Sequence, residues 1–302
     1  AQAKGAGTWP ILPGAPTIGT ATAGDAEVSV AFTAPTTGYP TTFSFTATSS
    51  PGGVTATGSA SPVVVTGLSN GTSYTFTVTA TNDTGTGPAS AASNSAIPIA
   101  PTELYAWGYN PNGELGLNNT SSVSSPTQVG ALTTWLSVDT WYHTAAVQTN
   151  GTLWTWGRGA QGRLGVNSTI NKSSPTQVGS STWAYATIGG NYTLAISSAG
   201  NLYAWGQNGD GQLGVNNTVS ASSPVQIGAL TTWLQVSAGY NHSFGILSTN
   251  AMYSWGANSQ GILGQGYTGG STISSPTQVG LDGDWLQVDA GGNYNCAAVK
   301  TD

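Results

Sequence analysis

Few residues of this chain are of types that do chemistry near neutral pH. His143 and His242 are its two histidines, and histidine is the side chain whose ordinary pKa lies close to 7. Both stand at the same place in a repeated pattern, where the other two copies carry Tyr192 and Tyr294. A position that exchanges imidazole for phenol suits packing or a hydrogen bond better than metal ligation or proton transfer. Asp282-Gly283-Asp284 is a close acidic pair, and it lacks the further oxygen ligands of a calcium loop. Asn208-Gly209-Asp210-Gly211 suggests calcium as well. Its counterparts Gly159-Ala160-Gln161-Gly162 and Asn258-Ser259-Gln260-Gly261 carry no acid, so it reads as a turn. No glycine-rich stretch has the Gly-x-x-x-x-Gly-Lys-Ser/Thr form that cradles phosphate. Cys296 is the single cysteine; it aligns with Ala145, Leu194 and Phe244 and is expected to be a buried small hydrophobe. Asn-x-Ser/Thr sequons, at Asn70 and Asn118 among others, carry little weight in a chain this rich in those residues. The expectation is no catalytic residue, no cofactor and no metal.

Aromatic side chains offer another kind of chemistry. The chain has 11 Trp and 12 Tyr, and most recur at fixed repeat positions that imply a core. Trp141, Tyr142, Tyr240 and Tyr267 are not aromatic in every copy and fall in turns or connections. Exposed rings among Asn, Gln and Ser can stack on sugar faces, so these four are the candidate contacts for a glycan or protein partner. Trp9, in the extended patch Trp9-Pro10-Ile11-Leu12-Pro13, is a candidate assembly contact.

The elements that must position these groups repeat four times. A strand ending Trp-Gly occurs at 104–108, 153–157, 202–206 and 252–256, with Trp107, Trp156, Trp205 and Trp255 spaced 49, 49 and 50 residues apart. Each is followed by Gly-x-Leu-Gly, beginning at Gly113, Gly162, Gly211 and Gly261. Ser-Ser-Pro then ends at Pro126, Pro175, Pro224 and Pro276, and Trp135, Trp183, Trp233 and Trp285 open the next strand. Each unit closes on a small apolar strand: Ala145-Ala146-Val147, Leu194-Ala195-Ile196, Phe244-Gly245-Ile246 and Cys296-Ala297-Ala298. Short apolar runs split by Gly, Asn, Ser and Pro read as strands and tight turns, with Asn150-Gly151 a strong hairpin signal. Four short strands per repeat predict one blade of a β-propeller. A unit of this length must stack on its neighbours to bury its apolar face.

This pattern of Trp-Gly, Gly-x-Leu-Gly, Ser-Pro-x-Gln-Val-Gly and Trp-x-x-Val over residues 103–302 resembles the repeat of the regulator of chromosome condensation family. The resemblance implies a propeller whose members serve as exchange factors, chromatin binders or interaction platforms. The family builds seven blades; four copies here imply a partial propeller or a small ring. The opening strand at Leu104–Trp107 and the closing strand at Cys296–Val299 each lack the partner they have inside the array. That partner could come from the other end, from further chain or from another subunit.

Residues 13–98 differ. Val28–Phe32, Phe43–Ala47 and Tyr74–Val78 alternate apolar and polar residues, and Val63–Val65 is a continuous apolar run, which predicts a β-sandwich. The stretch Leu68-Ser69-Asn70-Gly71-Thr72-Ser73-Tyr74 resembles the corner of a fibronectin type III domain. Tyr74 is then the corner tyrosine, its hydroxyl bonded to the turn backbone, and Phe32 replaces the family's core Trp. Residues 1–12 read as an extended arm and 99–102 as a linker.

The fold class is therefore all-β: a fibronectin type III-like sandwich followed by a four-repeat propeller. Of 302 residues, 5% are charged, with 5 Lys plus Arg against 11 Asp plus Glu and a net charge of −6. That balance disfavours nucleic acid, whose phosphates are bound through Lys and Arg. No apolar run approaches the roughly 18–20 residues of a membrane span. No secretory leader opens the chain, so any export signal is expected outside it. The favoured reading is a non-enzymatic extracellular structural or adhesion protein, a tailed-phage fibre, spike or decoration component with the propeller as binding head. Its expected partners are other structural proteins of the same particle, host-surface glycan or protein, or a second copy of itself. The alternative is a bacterial secreted or surface-attached binding module, glycan-binding or attached to a hydrolase outside this chain. An intracellular exchange factor or chromatin adaptor fits less well.

Overall fold

A computed structural model describes residues 10–38, 43–132, 134–268 and 272–301. Trp9 lies outside the described residues. The chain divides into two compact units, Ala1–Pro101 and Thr102–Asp302.

The first unit has seven strands: β1 (Thr17–Ala23), β2 (Glu27–Thr33), β3 (Ser44–Ser50), β4 (Thr55–Gly58), β5 (Val63–Thr66), β6 (Thr75–Asn82) and β7 (Gly85–Thr86). They form two antiparallel sheets, β1-β2-β5 and β4-β3-β6-β7. Alternation puts Val28, Val30 and Phe32 from one sheet against Phe45, Ala47, Phe76 and Val78 from the other. Phe32 meets Phe45 at 4.6 Å between ring centroids. The Val63–Val65 run alternates after all, with Val64 outside and its two neighbours in the core. Tyr74 is buried, and its hydroxyl accepts the Ser69 N–H at 3.1 Å. Tyr74→Phe should therefore cost the sandwich about 1 kcal/mol. In thermal unfolding that is a drop of about 4–8 °C for a domain of this size, with the propeller transition unmoved.

Among its described residues the second unit holds sixteen strands. They are β8 (Tyr105–Gly108), β9 (Val123–Gln128), β10 (Trp135–Thr140), β11 (His143–Gln148), β12 (Leu153–Gly157), β13 (Lys172–Gln177), β14 (Trp183–Ile188), β15 (Tyr192–Ser197), β16 (Leu202–Gly206), β17 (Ala221–Gln226), β18 (Trp233–Ala238), β19 (His242–Leu247), β20 (Met252–Gly256), β21 (Ile273–Gln278), β22 (Trp285–Asp289) and β23 (Ala297–Lys300). Three sheets are complete four-stranded blades: β10-β11-β12-β13, β14-β15-β16-β17 and β18-β19-β20-β21. Each takes two strands from one sequence repeat and two from the next, so blade and repeat are offset by half a unit. That offset leaves β8-β9 at one end of the array and β22-β23 at the other as two-stranded sheets. The propeller is partial.

Blade contacts repeat with the sequence. The Trp156, Trp205 and Trp255 indoles are fully buried and donate to the carbonyls of Glu114, Arg163 and Gln212, each at 2.9 Å. Those acceptors lie in the Gly-x-Leu-Gly turn one blade earlier. A Cβ on Gly165 would come within 2.6 Å of the Trp205 indole nitrogen, and Gly165 also has φ +71, so this turn must be glycine twice over. The turns are held from within by asparagine: Asn110, Asn208 and Asn258 accept the Leu115, Leu213 and Leu263 N–H groups. Trp135, Trp183 and Trp233 set their rings edgewise against Trp156, Trp205 and Trp255 at 5.9–6.0 Å.

Of the residues assigned to the core on repetition alone, two are exposed and a third sits at its edge. Trp107 is 58% exposed, because among the described residues β8 pairs with β9 alone. Trp285 is half-buried, on the last pair of strands. Cys296 is exposed. The hairpin carrying it also pairs differently: Ala186 pairs with Ala195 and Val236 with Gly245, but Val288 pairs with Ala298. A one-residue slip turns every side chain to the opposite face, and register is weakly specified for a strand such as β23, which is exposed along its whole length.

Candidate binding surface

The loops joining the first two strands of each blade converge. Trp141 and Tyr142 come from the β10–β11 loop, and Tyr240 comes from the β18–β19 loop two blades on. The Trp141 and Tyr142 rings stack at 6.0 Å and 21°. Tyr240 meets Trp141 edge-on at 6.0 Å. Gly190, in the intervening β14–β15 loop, makes this convergence possible, since a Cβ there would stand 2.7 Å from the Tyr240 ring. Trp141 and Tyr142 are both exposed, so the cluster presents aromatic surface to solvent. Tyr267 is not part of it. It lies in the loop after the last Gly-x-Leu-Gly turn, with no ring contact to the other three, and its carbonyl accepts from Asn258 Nδ2.

Both arginines of the chain lie at this cluster. The Arg158 N–H donates to the Tyr142 carbonyl at 3.2 Å. Arg163 is buried, donating from Nε to the Ala160 carbonyl at 2.9 Å and from a terminal nitrogen to the Gly190 carbonyl at 3.3 Å. Burial, and behind it the charge of Arg158, lower its pKa to about 10, so it stays a cation at neutral pH. No carboxylate pairs with either arginine; the ion pairs among the described residues join Lys300 to Asp282 and Asp284. Beside the cluster a hollow of about 530 Å³ is lined by Trp107, Tyr109, Asn112, Trp141, Tyr142 and Arg158. Tyr109 and the two arginines were not singled out from the sequence. The scarcity of basic residues was the signal available for the arginines.

The histidine position serves the joints between blades. His143 Nε2 lies 2.8 Å from Thr193 Oγ1, which donates its own proton to the Arg163 carbonyl. The imidazole must then be the donor, protonated on Nε2. His242 Nε2 donates to the Ala290 carbonyl at 2.9 Å. Tyr192, between them in sequence, donates to the His242 carbonyl at 2.5 Å. Each ring therefore reaches from its own blade to the next. Tyr294 does not: it is exposed on the last loop. Asp282 and Asp284 hold Lys300. Among the described residues no three His, Cys, Asp or Glu side chains are grouped to hold a metal.

Comparison with protein families matches residues 103–147, 150–196, 199–246 and 250–298 to the regulator of chromosome condensation (RCC1) repeat. A second profile of the same repeat matches 233–262. Residues 14–96 match the fibronectin type III domain. Among solved structures, human WBSCR16 is 17% identical with a TM-score of 0.60, over 95% of this chain and 88% of that one. Prp20p from Saccharomyces cerevisiae, whose structure was described with its binding to Gsp1p and histones, is 16% identical with a TM-score of 0.57, over 94% and 69%. The same yeast protein bound to Kap60 gives 16%, 0.58, 92% and 65%. Likeness at this identity speaks for the fold alone. Comparison with the curated proteins gave no match.

Proposed function

The chain belongs to the regulator of chromosome condensation repeat family, and on that premise we propose that it is a non-catalytic extracellular binding protein, with the partial propeller as its head and the fibronectin type III domain as its spacer. The observation that carries this reading is the meeting of Trp141, Tyr142 and Tyr240 at one exposed patch beside the exposed Arg158. Flat rings stack on the apolar faces of sugars, and guanidinium groups fork onto carboxylates. The ligand is accordingly an oligosaccharide, with acidic sugars preferred. A surface with 5% charged residues, wetted by Ser, Thr, Asn and Gln, supports placement outside the cell as a component of a virion or of a bacterial surface. The net charge of −6 argues against a nucleic-acid partner.

A glycan array probed with the full chain tests this. Trp141→Ala and Tyr240→Ala should each weaken retention on acidic glycans about tenfold, the size of one lost stacking contact. Retention unchanged in both variants, or no glycan retained by the parent chain, would remove the basis for a sugar-binding head.

A further inference from the structure

The two incomplete sheets are the two halves of one blade. In the complete blades the inner pair begins with a bulged register, Trp135 with Gln148 and then Ser137 with Val147. The β22-β23 pair carries the bulge at the same place, Trp285 with Lys300 and then Gln287 with Val299, its second strand slipped by one residue. The outer pair of the first complete blade joins Trp154 to Gln177, Thr155 to Thr176 and Gly157 to Lys172. The β8-β9 pair copies it with Tyr105 to Gln128, Ala106 to Thr127 and Gly108 to Val123. Placed in the order β22-β23-β8-β9, they match β10-β11-β12-β13 in strand order and bulge position, the slip of β23 apart. Within one chain they do not meet: among the described residues β8 pairs with β9 alone, and β23 with β22 alone. Residues 14–96, ahead of β8 in sequence, match the fibronectin type III domain.

Both ends expose what the complete blades bury. Val138 is 50% exposed, while its counterparts Ala186, Val236 and Val288 are buried. All of β23 is exposed, while β11, β15 and β19 are buried throughout. A hollow of about 290 Å³ lined by Leu104, Ala106, Trp107, Leu115, Val138 and Trp156 lies along β8, on the side where inner strands belong. The hydrogen bonds are complementary too. Glu114, Arg163 and Gln212 each offer a carbonyl that takes an indole N–H from the next blade. Ile262 holds the same turn position, and among the described residues its carbonyl receives the Cys296 thiol, at 3.2 Å, and no indole. Trp107 holds the matching indole position and has no acceptor among the described residues.

We propose that the occupant of each end is a second copy of this chain. The β23 edge of one copy pairs antiparallel with the β8 edge of another and completes a four-stranded blade, with the Trp107 indole donating to the partner copy's Ile262 carbonyl. Each copy has one end of each kind, so two copies satisfy all four ends in a closed, head-to-tail ring. Such an interface is heterologous, and it terminates only when the ring closes. Docking also gives β23 the covered face that specifies its register.

Sedimentation of the full chain tests the proposal, with an expected mass twice the 30.4 kDa of one copy. Trp107→Ala, at a residue exposed in the single chain, should weaken self-association at least about 30-fold, as removal of a buried interface tryptophan does. The pairing of Phe244 with Ser254 and Ser243 with Trp255 puts Ala106 opposite or next to Cys296 across the new blade. Ala106→Cys should then give a two-chain disulfide on oxidation, abolished by Cys296→Ser. A single-chain mass at all concentrations, an Ala106→Cys disulfide formed within one chain, or an association constant unmoved by Trp107→Ala would each overturn it.

Discussion

Replacing Trp205 by alanine is expected to destabilise the propeller by about 3–5 kcal/mol, the range for deleting a large buried aromatic. The indole has no exposed surface. It packs among Leu153, Val147, Ile188 and Trp183 at the joint between the first two complete blades. Its N–H also donates to the Arg163 carbonyl at 2.9 Å. Alanine leaves a void that the neighbours cannot fill, because the glycine turn against which the ring lies is fixed by its own left-handed backbone. At about 2–4 °C per kcal/mol for a unit of this size, the propeller transition should fall by roughly 10 °C. Trp205→Phe separates the hydrogen bond from the packing and should recover more than half of the loss. Trp107→Ala, at the same repeat position, should move the transition of the single chain by less than about 0.5 kcal/mol, as exposed substitutions do. Calorimetry at a concentration where the chain is single reads both. Equal effects from the two tryptophans would mean that neighbouring blades do not set their worth.

That contrast also marks where the sequence was legible and where it was not. The all-β class, the sandwich and the blade repeat could be read from spacing, because periodic burial leaves periodic residues. The Trp at each Trp-Gly is one structural position, yet only three of the four sit in a complete four-stranded blade. A repeat pattern records the shape of a unit; it carries no record of which unit lacks a neighbour. The same limit displaced Cys296: aligned by sequence it faces inward, but it is exposed, and among the described residues β23 pairs with β22 alone. The aromatic surface was half visible. Trp141, Tyr142 and Tyr240 stood out because the repeat does not demand them. Their meeting depends on Gly190, whose role shows only when the loops are seen packed. Tyr267 satisfied the same criterion and lies elsewhere, since departure from a repeat says nothing about direction.

The propeller should lose stability steadily as pH falls below about 6.5, and His143 should account for much of the slope. Burial, helped by the charge of Arg163, lowers its pKa from 6.5 to about 3. The imidazole donates from Nε2 to Thr193, and its Nδ1 is buried without a partner. A proton added at Nδ1 would put a second cation beside Arg163 with no acceptor for its N–H. The unfolded chain takes up that proton as pH drops through 6.5, and the folded chain refuses it until about 3. In that window the unfolded state holds more protons, so stability rises with pH and is lost on acidification. The contribution is complete above 6.5 and declines by up to about 1.4 kcal/mol per pH unit below it. His242 is shifted in the same direction by burial, opposed by its bond to the Ala290 carbonyl, and should add a shallower slope. His143→Gln keeps a donor for Thr193 and removes the titration. Urea midpoints of the two proteins between pH 4 and 7.5 should therefore converge toward acid, the variant being weaker at pH 7 and flatter below. Parallel curves would place the acid sensitivity of this propeller in its carboxylates instead, and would mean that the His143 joint opens to solvent before the blades part.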